Sequence, residues 1–171
     1  MNTLERFRPI KAFIFDVDGV MTNSEIIVLE DGSLIRKMNI RDGYALQRAV
    51  RQGYKVAVIT GGSSTGVADR LRKLGIEDIY TGVQDKLEAY EDLLQKYDGL
   101  KEEHILYMGD DHPDYEVMRR AGLPTCPRNS APEILQISQY ISPLEGGAGC
   151  VRDVIEKTLR IHGKWLDESK D

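Results

Sequence analysis

Three times this chain runs through a short apolar stretch and halts at a polar residue: KAFIF into Asp16, YKVAVI into Thr60, and HILYM through Gly109 into Asp110 and Asp111. Apolar runs of this length, without polar alternation, are typical of strands buried on both faces. Between them lie segments of helical periodicity. QDKLEAYEDLLQKY spaces Leu87, Tyr90, Leu93, Leu94 and Tyr97 as one helix face does. SSTGVADRLRKLG carries a serine cap and a closing Gly75. Buried strands alternating with helices predict an α/β fold, a Rossmann-like three-layer αβα arrangement around a central parallel sheet.

The other segments fit that plan. EIIVLEDGSLIRKMN, with Asp31-Gly32 at its middle, reads as a small β-hairpin inserted after the first strand, about residues 24–39. DGYALQRAVRQG reads as a helix with Asp42 as its candidate N-cap and Gly53 beyond its end. HPDYEVMRRAG is a helix with Pro113 in its first turn. LPTCP, a short APEIL helix and QYIS follow. GGAG either opens the last helix, VRDVIEKTLRIHG, or serves as a mobile lid. The C-terminal helix and tail cover about residues 148–171, with DESKD at a frayed end. At 171 residues the whole chain, 1–171, is expected to be a single domain.

Composition removes several classes of function. With 41% apolar and 30% charged residues the chain is of the soluble globular class. A net charge of −5 with no basic block argues against a nucleic-acid partner. No apolar run approaches the ~20 residues of a membrane span, and MNTLERFRPIK has no signal-like apolar core. Cys126 and Cys150 lack CxxC or zinc spacing, which fits a reduced compartment. A cytoplasmic location with no membrane partner is therefore expected.

In open parallel sheets ligands sit at the carboxyl ends of strands. That brings Asp16, Asp18, Thr60, Asp110, Asp111 and Asp114 to one crevice. Carboxylates so crowded repel one another unless a cation intervenes. Oxygen-only ligands suit a hard ion, and magnesium commonly takes one or two carboxylates plus substrate phosphate. Asp111 or Asp114 alone is more simply a helix cap. Asp16 and Asp18 together, ahead of Gly19, point to the cation. Lys86 opens a helix, where the macrodipole disfavours a cation, so it is either solvated or held by an anion, the acids themselves or a bound phosphate. Thr60 with Gly61 offers a hydroxyl and backbone N–H groups to phosphate oxygens.

Taken in order, Asp-x-Asp-Gly, Thr-Gly, Lys and Gly-Asp-Asp-x-x-Asp resemble the haloacid dehalogenase superfamily, whose motifs match DVDGV, ITG, Lys86 and GDDHPD over nearly the whole chain. The resemblance implies that Asp16 attacks phosphorus and forms an aspartyl-phosphate. Asp18 acts as general acid, then base. Asp16, the backbone carbonyl of Asp18 and Asp110 hold Mg2+. Thr60 and Lys86 bind phosphoryl oxygens, and Asp111 and Asp114 stand behind the metal residues. The gap between the first two motifs holds only a hairpin and a helix, so no cap domain is expected.

NIRDGYAL and GGAGCVRDVIE narrow the resemblance to capless phosphatases of 3-deoxy-D-manno-octulosonate 8-phosphate, which serve lipopolysaccharide precursor synthesis. It implies a homotetramer whose hairpins associate and whose neighbouring subunits complete each pocket. It also implies that Asn39, Arg41, Asp42, Gly43, Gly61, Arg70 and Lys86 bind the sugar-acid phosphate. Arg70 has a second reading, snorkelling at a helix edge. Trp165 packs either on a neighbour or on its own domain. After Thr60-Gly61 many of these phosphatases carry arginine or lysine, where this chain has Gly62. Two alternatives stand beside the octulosonate reading: a phosphatase of a nine-carbon 2-keto-3-deoxy sugar-acid 9-phosphate, and a receiver-type phospho-acceptor domain.

Overall fold

The structure is a computed structural model that describes residues 2–166. The tail expected to fray, residues 167–171, lies outside the described residues. Six parallel strands form the central sheet: β1 (Ala12–Phe15), β4 (Lys55–Ile59), β5 (Asp78–Tyr80), β6 (Ile105–Met108), β7 (Leu123–Cys126) and β8 (Tyr140–Ile141). Their order is β5-β4-β1-β6-β7-β8, so β1 is central, with Phe13 opposite Val56 on one side and Leu106 on the other. All four residues of β1 are buried. Phe13 and Phe15 face a core shared with α1 (Ile40–Arg51), α2 (Thr65–Lys73) and α6 (Cys150–Ile161). Ala12 and Ile14 face a second core under α3 (Lys86–Lys96), α4 (Tyr115–Arg120) and α5 (Pro132–Ile137). This is the three-layer arrangement that the apolar runs predict, each large buried side chain contributing about 1.5–3 kcal/mol.

Between β1 and β4 stand only the hairpin, β2 (Ile27–Val28) and β3 (Leu34–Ile35), and α1, so there is no cap domain. The hairpin forms its own two-stranded sheet, and Ile27 and Val28 are 62% and 65% exposed.

Helix α1 starts earlier than expected. Asn39, not Asp42, is its N-cap, accepting from the N–H groups of Arg41 and Asp42. Asp42 is buried and spends Oδ1 on the backbone N–H of Arg152, in the first turn of α6, at 2.9 Å. The stretch contains two cap-competent residues three apart; the first closes its own helix and the second serves another. Ahead of α4 the chain makes a 3₁₀ turn over His112–Asp114, with Pro113 in it.

The glycine segment before α6 opens that helix, with Gly149 as its N-cap, and packs on the turn after β1. Gly147 N–H donates to the Val20 carbonyl at 3.0 Å, and a Cβ on Gly146 would stand 2.0 Å from the Gly19 carbonyl oxygen. Only a residue without a side chain lets these two backbones touch. Trp165 is buried on its own chain, edge-on to Tyr44 and flanked by the guanidinium groups of Arg152 and Arg160.

Candidate active site

The carboxyl ends of β1, β4 and β6 deliver Asp16, Thr60 and Asp110 to one crevice of about 450 Å³. Asp18, Gly61, Lys86, Asp111 and Asp114 also line it. After β1 the chain turns tightly, the Val17 carbonyl accepting from the N–H groups of Val20, Met21 and Thr22. Gly19 sits in that turn with φ +90°, and a Cβ there would fall 1.9 Å from Asp110 Oδ2. The fourth residue of DVDG is glycine because Asp110 occupies the space above it.

Lys86 opens α3, with Asp85 as the cap that accepts from Leu87 N–H. Its side chain is buried and its Nζ lies 2.9 Å from Asp16 Oδ1 and 2.8 Å from Asp114 Oδ1. Burial opposes the charge, but the carboxylates of Asp16 and Asp114 outweigh it and hold the ammonium above its ordinary pKa. Of the two readings of Lys86, the solvated one fails and the anion-held one stands, the acids themselves providing the anions. Asp114 also accepts from Tyr107 OH at 2.7 Å and from Asp110 N–H at 3.1 Å. With its oxygens so committed, Asp114 orients Lys86 and the Asp110 backbone. Asp111 is the cap of the 3₁₀ turn, accepting from His112 N–H.

The residues present fit a divalent cation. Carboxylate oxygens of Asp16, Asp110 and Asp114 come within 4.8 Å of one another. Burial, then the charges of Asp16 and Asp114, push the Asp110 carboxyl up to about 8. Burial and the charge of Asp114 also raise Asp16, against the pull of Lys86. Three acids clustered near one lysine, two of them within hydrogen-bonding range of it, leave excess negative charge that a hard cation would neutralise.

Comparison with known proteins bears on what such a crevice does. A family model described as haloacid dehalogenase-like hydrolase matches residues 39–122. The 3-deoxy-D-manno-octulosonate 8-phosphate phosphatase KdsC of Escherichia coli (strain K12) is 37% identical over 169 residues, covering 99% of this chain and 89% of that protein. The chain belongs to the haloacid dehalogenase-like hydrolases. A crystal structure of the Yersinia pestis 3-deoxy-D-manno-octulosonate 8-phosphate phosphatase superposes with a TM-score of 0.93 at 34% identity, over 96% of this chain and 89% of that one. The Moraxella catarrhalis phosphatase, solved with magnesium, phosphate and KDO, matches with a TM-score of 0.90 at 35% identity, over 95% and 93%. For a haloacid dehalogenase-like chain the receiver-type reading is set aside.

Not every residue expected at the haloacid dehalogenase-like site lines the crevice. Asn39, Asp42, Gly43 and Arg70 line a separate small cleft, and a Cβ on Gly43 would stand 2.7 Å from Arg70 Nη2. Asn39 and Arg41 also border a surface groove of about 850 Å³ along α6. Asn39 Nδ2 ties that region to the glycine segment, donating to the Gly147 carbonyl at 3.1 Å. Two contributors went unread in the sequence. Tyr107 is the one hydroxyl in the run ILYM, and that polar atom in a buried strand is the available signal. Arg36, at the end of the hairpin, places Nε 2.6 Å from Asp18 Oδ1 and Nη2 3.1 Å from Oδ2. Its pairing spans 18 residues, and nothing local in the sequence announces it.

Proposed function

We propose that this chain is a magnesium-dependent phosphatase that hydrolyses 3-deoxy-D-manno-octulosonate 8-phosphate to the free sugar acid and phosphate through an aspartyl-phosphate on Asp16. The observation that carries the reading is the crevice in which buried Asp16 pairs with Lys86 at 2.9 Å beside the 40% exposed side chain of Asp18. Lys86 fixes the Asp16 carboxylate, leaving one oxygen to form the bond to phosphorus. The bond from phosphorus to the sugar oxygen breaks, and Asp18 gives that oxygen its proton. Water then attacks phosphorus, Asp18 takes the water's proton, and the bond to Asp16 breaks to release phosphate. The Thr60 hydroxyl, the N–H group at Gly61 and Lys86 hold the phosphoryl oxygens. Asp16, the Asp18 carbonyl and Asp110 would hold magnesium, which would supply positive charge beside the phosphoryl oxygens.

Asn39, Arg41, Asp42, Gly43 and Arg70 belong, on this reading, to recognition of the sugar acid. Asn39 and Arg41, on the open groove, are the two best placed to reach a substrate shared between subunits. The exposed apolar hairpin supports assembly, and we read the assembly as a homotetramer of single-domain subunits. Two buried unpaired thiols and the absence of a membrane-spanning helix among the described residues support a cytoplasmic enzyme. A second substrate reading, a nine-carbon sugar-acid 9-phosphate, stands beside the octulosonate reading because position 62 lacks the side-chain cation usual in octulosonate-phosphate phosphatases.

The test is phosphate release with magnesium, offering both sugar-acid phosphates and a generic sugar phosphate. Preferred turnover of the eight-carbon acid is expected; preference for the nine-carbon acid moves the substrate and keeps the mechanism. The variant Asp16→Asn is expected to lose hydrolysis by at least about 10³-fold. Wild-type turnover by that variant rejects Asp16 as nucleophile.

A further inference from the structure

We propose that Arg36 is a positioning residue for Asp18, its guanidinium seated beside the bare backbone of Gly62; the inference rests on the phosphatase reading above. Both oxygens of Asp18 accept from one planar fork, Nε at 2.6 Å and Nη2 at 3.1 Å. A fork–fork pair fixes the plane of the carboxylate as well as its position, which a lysine cannot do. Each oxygen has a second lone pair that the fork does not use, and Asp18 lines the crevice, so the carboxyl keeps a site for a proton.

The pair is unusual for its place. Two-residue strands form a marginal hairpin, and its apolar residues Leu34 and Ile35 are exposed. Arg36, next in sequence, has a side chain only 8% exposed while that of Asp18 is 40% exposed. The hairpin therefore sends inward one long cation, which ends on the carboxylate assigned to proton transfer. A Cβ on residue 62 would stand 3.0 Å from Arg36 Nη2, 3.4 Å from Asp18 Oδ2 and 3.6 Å from Thr60 Oγ1. A Cβ there would crowd the guanidinium by a few tenths of an ångström and meet the carboxylate at ordinary contact distance. The cation absent at position 62 is thus supplied to the same spot from the hairpin, and it acts on Asp18.

The experiment compares Arg36→Gln and Arg36→Lys with the wild type on two magnesium-supported substrates. A sugar phosphate leaves as an alkoxide and needs its proton from Asp18, whereas p-nitrophenyl phosphate leaves as a stable phenolate. Loss of acid positioning is expected to lower kcat for the sugar phosphate on the order of 10- to 100-fold, within the reach of general acid catalysis. The aryl ester is expected to lose about threefold or less, with KM unchanged for both. Guanidinium ion added to Arg36→Ala is expected to recover part of the sugar phosphate rate, which a merely structural role would not allow. In the metal-free protein, Arg36→Gln and Asp18→Asn are expected to shift the melting temperature less together than the sum of their separate shifts.

Equal losses on both esters, or a rise in KM alone, overturn the inference. So does additivity of the melting shifts. If Asp18→Asn discriminates between the esters while Arg36→Gln does not, the phosphatase reading survives and the role of Arg36 falls. If the wild type hydrolyses neither ester, the phosphatase reading falls and takes the inference with it.

Discussion

Asp110 and Asp16 bear the electrostatic strain of the site, and the sign of the pH effect follows from their raised pKa values. A carboxyl raised to about 8 in the folded chain, against an ordinary 3.8, favours the folded state while protonated. That contribution is fully present below about pH 3.8 and is lost as pH rises through about 8. The metal-free protein is therefore expected to melt at lower temperature at pH 9 than at pH 6.5, and added magnesium is expected to remove most of the difference. Magnesium binding near pH 7 is expected to release about one proton, read by calorimetry in buffers of different protonation enthalpy. Binding without proton release would contradict the crowded-acid account. The sequence showed these acids plainly, since each follows an apolar run. Arg36 was not legible there, because its role exists only once the hairpin is brought beside Asp18; Tyr107 left one trace, a hydroxyl in a buried run, whose partner Asp114 follows seven residues later across a turn that spacing alone does not fix.

At the scale of elements, one carboxylate links α1 to the first turn of α6 beside the apolar core they share. Asp42 Oδ1 satisfies the Arg152 N–H, and Oδ2 is buried without a hydrogen-bond partner among the described residues. Burial first, opposed by the Arg152 N–H and its charge, pushes this carboxyl up to about 6. Its stabilising contribution is thus complete below about pH 3.8 and lost as pH rises through about 6. Asp42→Asn keeps an acceptor and removes the charge, so it is expected to raise the melting temperature at pH 8 and to change it little at pH 4. Asp42→Ala leaves the helix N–H unpaired and is expected to cost about 1 kcal/mol at either pH, read by denaturant unfolding. A lowered melting temperature for Asp42→Asn at pH 8 would remove this picture of the junction. The strand and helix pattern was readable because period and glycine punctuation are local. The cap of α1 was misplaced because Asp42 is drawn off by a helix more than a hundred residues away, a tertiary competition that local spacing does not record.

At the scale of the molecule, the exposed apolar surface of the described residues is concentrated on the hairpin, with Ile26, Ile27, Val28, Leu29, Leu34 and Ile35 all exposed. Val28→Asp puts a charge in the middle of that surface. It is expected to reduce the sedimenting species to monomer, with turnover of the sugar-acid phosphate falling more than turnover of p-nitrophenyl phosphate. A wild-type protein that sediments as a compact monomer would remove the shared-site part of the proposal.

The central place of β1 also sets an order of events during synthesis. Its last residue, Phe15, pairs with Val58 on one side and with Met108 on the other. Roughly 90 residues therefore separate the nucleophile's strand from the second neighbour that encloses it, a delay of about 5 to 20 s at ordinary elongation rates. Through that interval Asp16 and Asp18 have neither Asp110 to crowd them nor a finished sheet to bury them, and β1 is left with one edge unpaired and attractive to other chains. The nascent chain carries its charges apart and brings them together only at the closing step. Folding yield should then depend on what shields that edge, or on a cation present when the sheet shuts, and a refolding rate measured with and without magnesium would tell which.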